Sequence, residues 1–300
     1  PDDAEAAIQL ARAQGAAGEA QAAIDGLLAL SARDGNDPRV WYELGKASIL
    51  QGNAQQAVDD YLTRALVQYK RGRDPYGQAE TINALGVGYG RLGQTADAAE
   101  QYRQAIVLRR ALGNRRGEAT SLRNLAGVLS LTGDFEGAER ALGEARVIAE
   151  ALSDREGAAA LDNDLGLLSE ERGDYPGALP AFQRALRVWQ QVGNAQGAAE
   201  AQDSIGFVHY QLGNYQDAQV YWQQAADAYA RLGEGNGGVR TRQNLGLLAI
   251  AQGRWSVARR LLEQSLADAE RQQMVEEAAV SRRNLADLAL SPDPPAPAIA

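Results

Sequence analysis

Cysteine is absent from this 300-residue chain, which excludes disulfides, thiolate metal sites and a cysteine nucleophile but leaves the redox compartment open. Histidine occurs once, at His209; no serine-histidine-acid triad with an elbow motif can be assembled around it, and a lone histidine without cysteine argues against a transition-metal centre. No cofactor, metal or catalytic set is expected, and the chain reads as a non-enzyme. Aromatic residues make up only 6% of the sequence, so the 45% hydrophobic share comes mainly from alanine and leucine, which favours close-packed helices. No apolar run approaches the ~20 residues a membrane helix requires, and membrane insertion is not expected. Lysine is confined to Lys46 and Lys70, every other basic residue being arginine, and with the alanine content this suggests a GC-rich bacterial genome. Bacterial cytoplasm and periplasm both fit. Thirty basic against 39 acidic residues give a net charge of -9, which argues against nucleic acid as a partner. A start at Pro1 without methionine reads as a piece of a longer chain.

What is present is a repeat. The segments INALGVGYGRLG, RNLAGVLSLTG, DNDLGLLSEERG, QDSIGFVHYQLG and RQNLGLLAIAQG place Leu85, Leu125, Leu165, Ile205 and Leu245 in register, each 40 residues after the last. Gly93, Gly133, Gly173, Gly213 and Gly253 recur as turn glycines, and alanine follows five residues later at Ala98, Ala138, Ala178, Ala218 and Ala258. An earlier unit carries Leu44 at a spacing of 41 from Leu85, and a truncated copy ends at Leu290. Between the glycines, apolar residues recur at three and four, so each unit is read as two antiparallel helices. Asp134, Asp174 and Asn214 are placed to cap second helices, and Gly113, Gly193 and Gly233 to end them in a left-handed turn. One array spanning 1–291 is expected, about seven repeats with a C-terminal capping helix, followed by a disordered proline-rich tail at 292–300.

The pattern resembles the tetratricopeptide repeat family: leucine and a small residue on the first helix, glycine at the turn, then alanine, aromatic and alanine on the second. The 40-residue unit is similar to the extended class seen in Pins-type adaptors, kinesin light chains and bacterial signalling proteins. The resemblance covers almost the whole chain and implies an all-α, right-handed superhelical solenoid that acts as a protein-binding scaffold. An alternative with the same fold is the sensory or regulatory part of a bacterial multidomain protein, such as a serine/threonine kinase or transcriptional regulator.

Three features invite chemistry and are read otherwise. His209 occupies the register position of Tyr89, a packing site between helices. The run Gly233-Glu234-Gly235-Asn236-Gly237-Gly238 follows a helix rather than a strand and lacks a following Lys-Ser or Lys-Thr, so it is read as a soft joint and not a phosphate loop. Pro180 falls inside a second helix, where a kink is expected.

In the family this chain resembles, the first helices line a concave groove, and ligand positions flank the register leucine. By register these are Asn83, Arg123, Asn124, Asn163, Asp164, Asp203, Ser204, Gln243, Asn244, Arg283 and Asn284, with Phe207 and Tyr210 as aromatic anchors. Amide side chains can bond a ligand's main chain while apolar neighbours supply contact area. Asp164, Glu170, Glu171, Glu200 and Asp203 gather in the middle and Arg123, Arg240 and Arg283 flank them. The implied partner is a protein or peptide with basic residues near its centre.

Overall fold

The computed structural model describes residues 2–33, 35–233 and 235–290, and all regular structure among them is helical. The expected tail at 292–300 lies outside the described residues. Two compact units, Pro1–Ser153 and Asp154–Ala300, divide the contacts.

The first unit contains α1 (Asp2–Ala16) and α2 (Ala20–Arg33), and α3 (Pro38–Leu50) followed by α4 (Ala54–Gln56), a π-helical turn (Ala57–Leu62) and α5 (Thr63–Arg71). The pairs α6 (Pro75–Arg91) with α7 (Thr95–Ala111), and α8 (Arg115–Leu131) with α9 (Phe135–Ala151), complete it. The second unit pairs α10 (Arg155–Glu171) with α11 (Tyr175–Val192), α12 (Ala195–Gln211) with α13 (Tyr215–Leu232), and α14 (Gly235–Ala251) with α15 (Trp255–Arg271), and ends in α16 (Val275–Leu290). Within each unit, consecutive helices pack antiparallel. First helices of successive pairs also touch, α6 on α8 and α10 on α12 on α14 on α16, whereas no comparable contact joins second helices among the described residues. First helices therefore form the inner face of each unit.

Helix ends follow from the punctuation of the sequence. The side chains of Asp74, Asn114, Asp154 and Asn194 accept from the backbone N–H three residues on and start α6, α8, α10 and α12. Asp134 and Asp174 do the same for α9 and α11, each such cap contributing about 1 kcal/mol. Asn214 holds the equivalent place before α13 but makes no side-chain cap bond. Gly113, Gly193 and Gly233 adopt the expected positive φ. Helix α11 continues without interruption through Pro180 in its second turn.

The core repeats one contact. Trp222 lies against Gly206 so closely that a Cβ there would stand 2.6 Å from the indole, and Trp222 donates from Nε1 to the Asp203 carbonyl at 3.0 Å. Tyr102, Phe182 and Leu262 fill the corresponding space in other pairs and are buried. Leu62 does so against Gly45, but 17 residues on instead of 16. The extra residue of the 41-residue spacing is thus absorbed between Ala57 and Leu62, where the π-helical turn lies and the Thr63 hydroxyl donates to the Val58 carbonyl at 2.7 Å.

Much of the glycine-rich joint is helix. Gly233 ends α13, Glu234 lies outside the described residues, and Gly235 to Gly238 form the first turn of α14. The tight approach of Gly237 to Tyr229, where a Cβ would lie 2.3 Å from the ring, is what demands glycine there.

Candidate binding face and a cavity in the second unit

The inner-face row divides into residues that hold helices together and residues left accessible. At the position two before the register leucine, the side chain reaches a hydroxyl 38 residues on, in the next first helix. Asn83 Oδ1 accepts from Ser121 Oγ at 2.9 Å and from Asn124 Nδ2 at 3.4 Å. Asp203 accepts from Thr241 Oγ1 at 2.7 Å, Asn244 Nδ2 at 3.4 Å and Arg240 Nε at 3.1 Å. Gln243 donates from Nε2 to Ser281 Oγ and to the Glu277 carbonyl, both at 2.9 Å. Asp203, Gln243 and Asn284 are buried, so they present little to a ligand. The rule fails where that hydroxyl is missing, as at Arg123, whose counterpart is Leu161, and at Asn163. Its counterpart 38 residues on is Ala201, which has no hydroxyl, and Asn163 Oδ1 is buried without a hydrogen-bond partner.

Asn83, Asn124, Asn163, Asp164, Ser204, Phe207, Tyr210 and Asn244 keep part of their surface in solvent, and Arg123 and Arg283 are exposed. Phe207 meets Tyr175 edge-on at 6.3 Å between ring centroids, and Tyr210 leans on both Tyr215 and Trp222 at 5.6 Å. Each aromatic is therefore held in place before any partner arrives, which lowers the ordering cost of a contact. His209 stacks on Tyr221 at 5.6 Å, as its packing register requires, with Nδ1 lacking a hydrogen-bond partner.

A cavity of about 450 Å³ opens on the inner face of the second unit, among α10, α12, the end of α13 and the start of α14. Asn163, Glu200, Ser204, Tyr229, Gly237 and Arg240 contribute to its wall. Glu200 is the carboxylate in its wall, and Asp203 and Glu170 lie near Arg240. Burial, with the nearby Asp203 charge adding to it, pushes the Glu170 carboxyl up to about 7, while Arg240 opposes the shift. Burial also raises Asp203, against the pull of Arg240 and its hydrogen bonds. The Tyr229 phenol is raised by burial and then by the charges of Asp203 and Glu200. Sequence reading placed Glu200 in the acidic cluster but missed Tyr229, because it belongs to a second helix. The signal available was Gly237 eight residues later, the glycine against which its ring packs.

Among the described residues no helix is long and apolar enough to cross a membrane, and no group of acidic and histidine side chains is placed to hold a metal. What remains is an all-α repeat array of stacked helix pairs. Three family models, each described as tetratricopeptide repeat, match residues 3–77, then 78–115 and 119–156, then 157–219 and 197–271. The chain belongs to the tetratricopeptide repeat family. No curated protein matches its sequence. Among solved structures it is similar to BtubC (BKLC) from P. vanneervenii, 22% identical over 77% of this chain and 92% of that one, with a TM-score of 0.61. A Rap protein complexed with Competence and Sporulation Factor is 19% identical over 84% of this chain and 74% of that one, at 0.59. A signal-transduction ATPase with a tetratricopeptide repeat sensor, from Pyrococcus horikoshii, is 15% identical over 93% of this chain, at 0.73, and this chain covers 44% of it. These likenesses carry the fold.

Proposed function

We propose that the chain is a non-enzymatic protein-interaction scaffold that binds a peptide or an extended partner segment on the inner face of its first helices. The observation that carries this reading is the division of that face. Asn83, Asp203 and Gln243 tie first helices together, while residues beside them such as Ser204, Phe207 and Asn244 keep part of their surface in solvent, Phe207 already packed on Tyr175. A ligand main chain can be met by the amides and its side chains by the aromatics. The likeness to a Rap protein complexed with a factor supports a protein or peptide as partner. Selection of a displayed random-peptide library on the full chain tests this. Selected peptides should lose at least about tenfold in affinity on the triple variant Asn124→Ala, Phe207→Ala, Asn244→Ala. Unchanged affinity, with unchanged helical circular dichroism, would retire the inner face.

A second reading is that this scaffold serves as the sensor of a larger bacterial signalling protein. It is favoured by the likeness to the tetratricopeptide sensor of a multidomain ATPase, a chain more than twice the length this one covers. The encoding gene decides between the two, since a sensor requires an effector domain in the same reading frame.

A further inference from the structure

The two units differ at one set of equivalent positions, and the difference identifies what the cavity fits. In the first unit, Arg109 of α7 is buried between α6 and α8. From Nη1 it donates to the Gly117 carbonyl at 2.7 Å and to Ser121 Oγ at 2.8 Å, and its Nη2 lies 2.8 Å from Glu80 Oε1. Exactly three repeats later the same positions are Tyr229, Gly237, Thr241 and Glu200. The carboxylate is kept, the carbonyl is kept and a hydroxyl is kept, but the arginine has become tyrosine. Among the described residues Glu200 accepts a neutral amide bond from Gln196, at 2.8 Å, and no cation, and it borders the cavity.

We infer that this cavity is a subsite for the guanidinium of an arginine in the bound polypeptide, which supplies from outside the cation that Arg109 supplies from within. The inference rests on the inner-face reading above and specifies one contact of it. The fit is chemical as well as positional. Arg240, the cation in the wall, is already paired with Asp203 at 3.1 Å, so the Glu200 carboxylate leaves the wall net negative. A guanidinium has planar donors that carboxylate, carbonyl and amide oxygens can share, which a compact ammonium does not match. Asn163 in the wall has an amide oxygen with no partner in the free protein, and turning that amide directs an acceptor at the guest. Tyr229, in the place of Arg109, lines the cavity without bringing a cation of its own.

The test uses the full chain, isotope-labelled, titrated with the blocked tripeptide acetyl-Ala-Arg-Ala-amide and with its citrulline counterpart, which has the same shape without the charge. Amide signals of Gly235, Asn236 and Gly237 report on the cavity. The arginine peptide should shift them saturably, and the citrulline peptide should bind about tenfold more weakly or not at all. Glu200→Gln should bring the arginine peptide down to the citrulline level while leaving helical content unchanged. Tyr229→Arg, which restores the residue of the first unit, should abolish the shifts by filling the site. Equal shifts with both peptides, no saturation, or full binding by Glu200→Gln would overturn the subsite. The inner-face reading fails separately. Library peptides that bind the inner face yet tolerate Glu200→Gln and arginine-to-citrulline exchange sink the subsite alone. Tripeptide binding at the cavity with no library peptide on the inner face sinks the wider reading and leaves the subsite standing.

Discussion

Asn83 in the first unit and Asp203 in the second occupy the same register position, reach the same kind of hydroxyl, and bond the same asparagine beside it. One clasp is neutral. The other buries a carboxylate that draws in Arg240 and adds its charge to the burial that raises Glu170. In the first unit the nearby glutamate is answered by Arg109 from the same chain, and in the second it faces a cavity. One scaffold position can therefore serve only cohesion or can also shape the field of a binding surface. Which it does depends on whether the array supplies its own counter-charge.

The largest expected effect separates cohesion from charge. Asp203→Ala strands the Thr241 hydroxyl and removes the partner of Arg240, and should cost about 2–3 kcal/mol in urea unfolding. Asn83→Ala removes only neutral bonds and should cost about 1 kcal/mol. Asp203→Asn installs the neutral clasp of the first unit and should cost far less than Asp203→Ala at pH 8, because the hydroxyl keeps an acceptor. Equal losses for the two Asp203 variants would mean that the charge itself, and not the hydrogen bonding, holds α12 to α14.

Glu170 sharpens the same comparison through pH. Its folded carboxyl, at about 7, holds its proton more tightly than the unfolded group at its ordinary value near 4.5. Between those values the folded state binds more protons, so stability falls as pH rises through that window and the penalty is complete above about 7. Glu170→Gln should therefore melt at a higher temperature than the parent at pH 8 and at the same temperature at pH 4. A variant equally stabilised at both would show that Glu170 acts through packing.

A smaller effect is expected at helix ends, where Arg73, Ser153 and Gln273 adopt positive φ at the register position that is glycine in Gly113, Gly193 and Gly233. Ser153→Gly should stabilise by about 1 kcal/mol, since a side chain in that conformation carries a steric cost that glycine lacks. A destabilised variant would mean that the Ser153 side chain makes compensating contacts.

Much of the fold was legible because it is written in spacing. The leucines at 40 set the pairs, the turn glycines set their ends, and the single 41-residue interval turns out to mark the π-helical turn between Ala57 and Leu62. That helix α14 starts inside the glycine run, at Gly235, was not legible from glycine density, because the close approach that demands Gly237 is to Tyr229 of the preceding helix. The row of residues flanking the register leucine was legible as a set of positions on the first helices but not as a set of roles. Whether such a side chain bonds the next helix depends on the residue 38 positions later, which is a hydroxyl for Asn83, Asp203 and Gln243 but alanine for Asn163. That pairing was visible in the sequence. The cavity was not, because it depends on Tyr229 replacing an arginine between two helices.

The most direct measurement is hydrogen-deuterium exchange of the full chain with and without a peptide selected on it. The account predicts added protection along α12 and the first turn of α14, with that at α14 lost when an arginine in the peptide is changed to citrulline. Protection confined to α11, α13 and α15, the second helices, would contradict it.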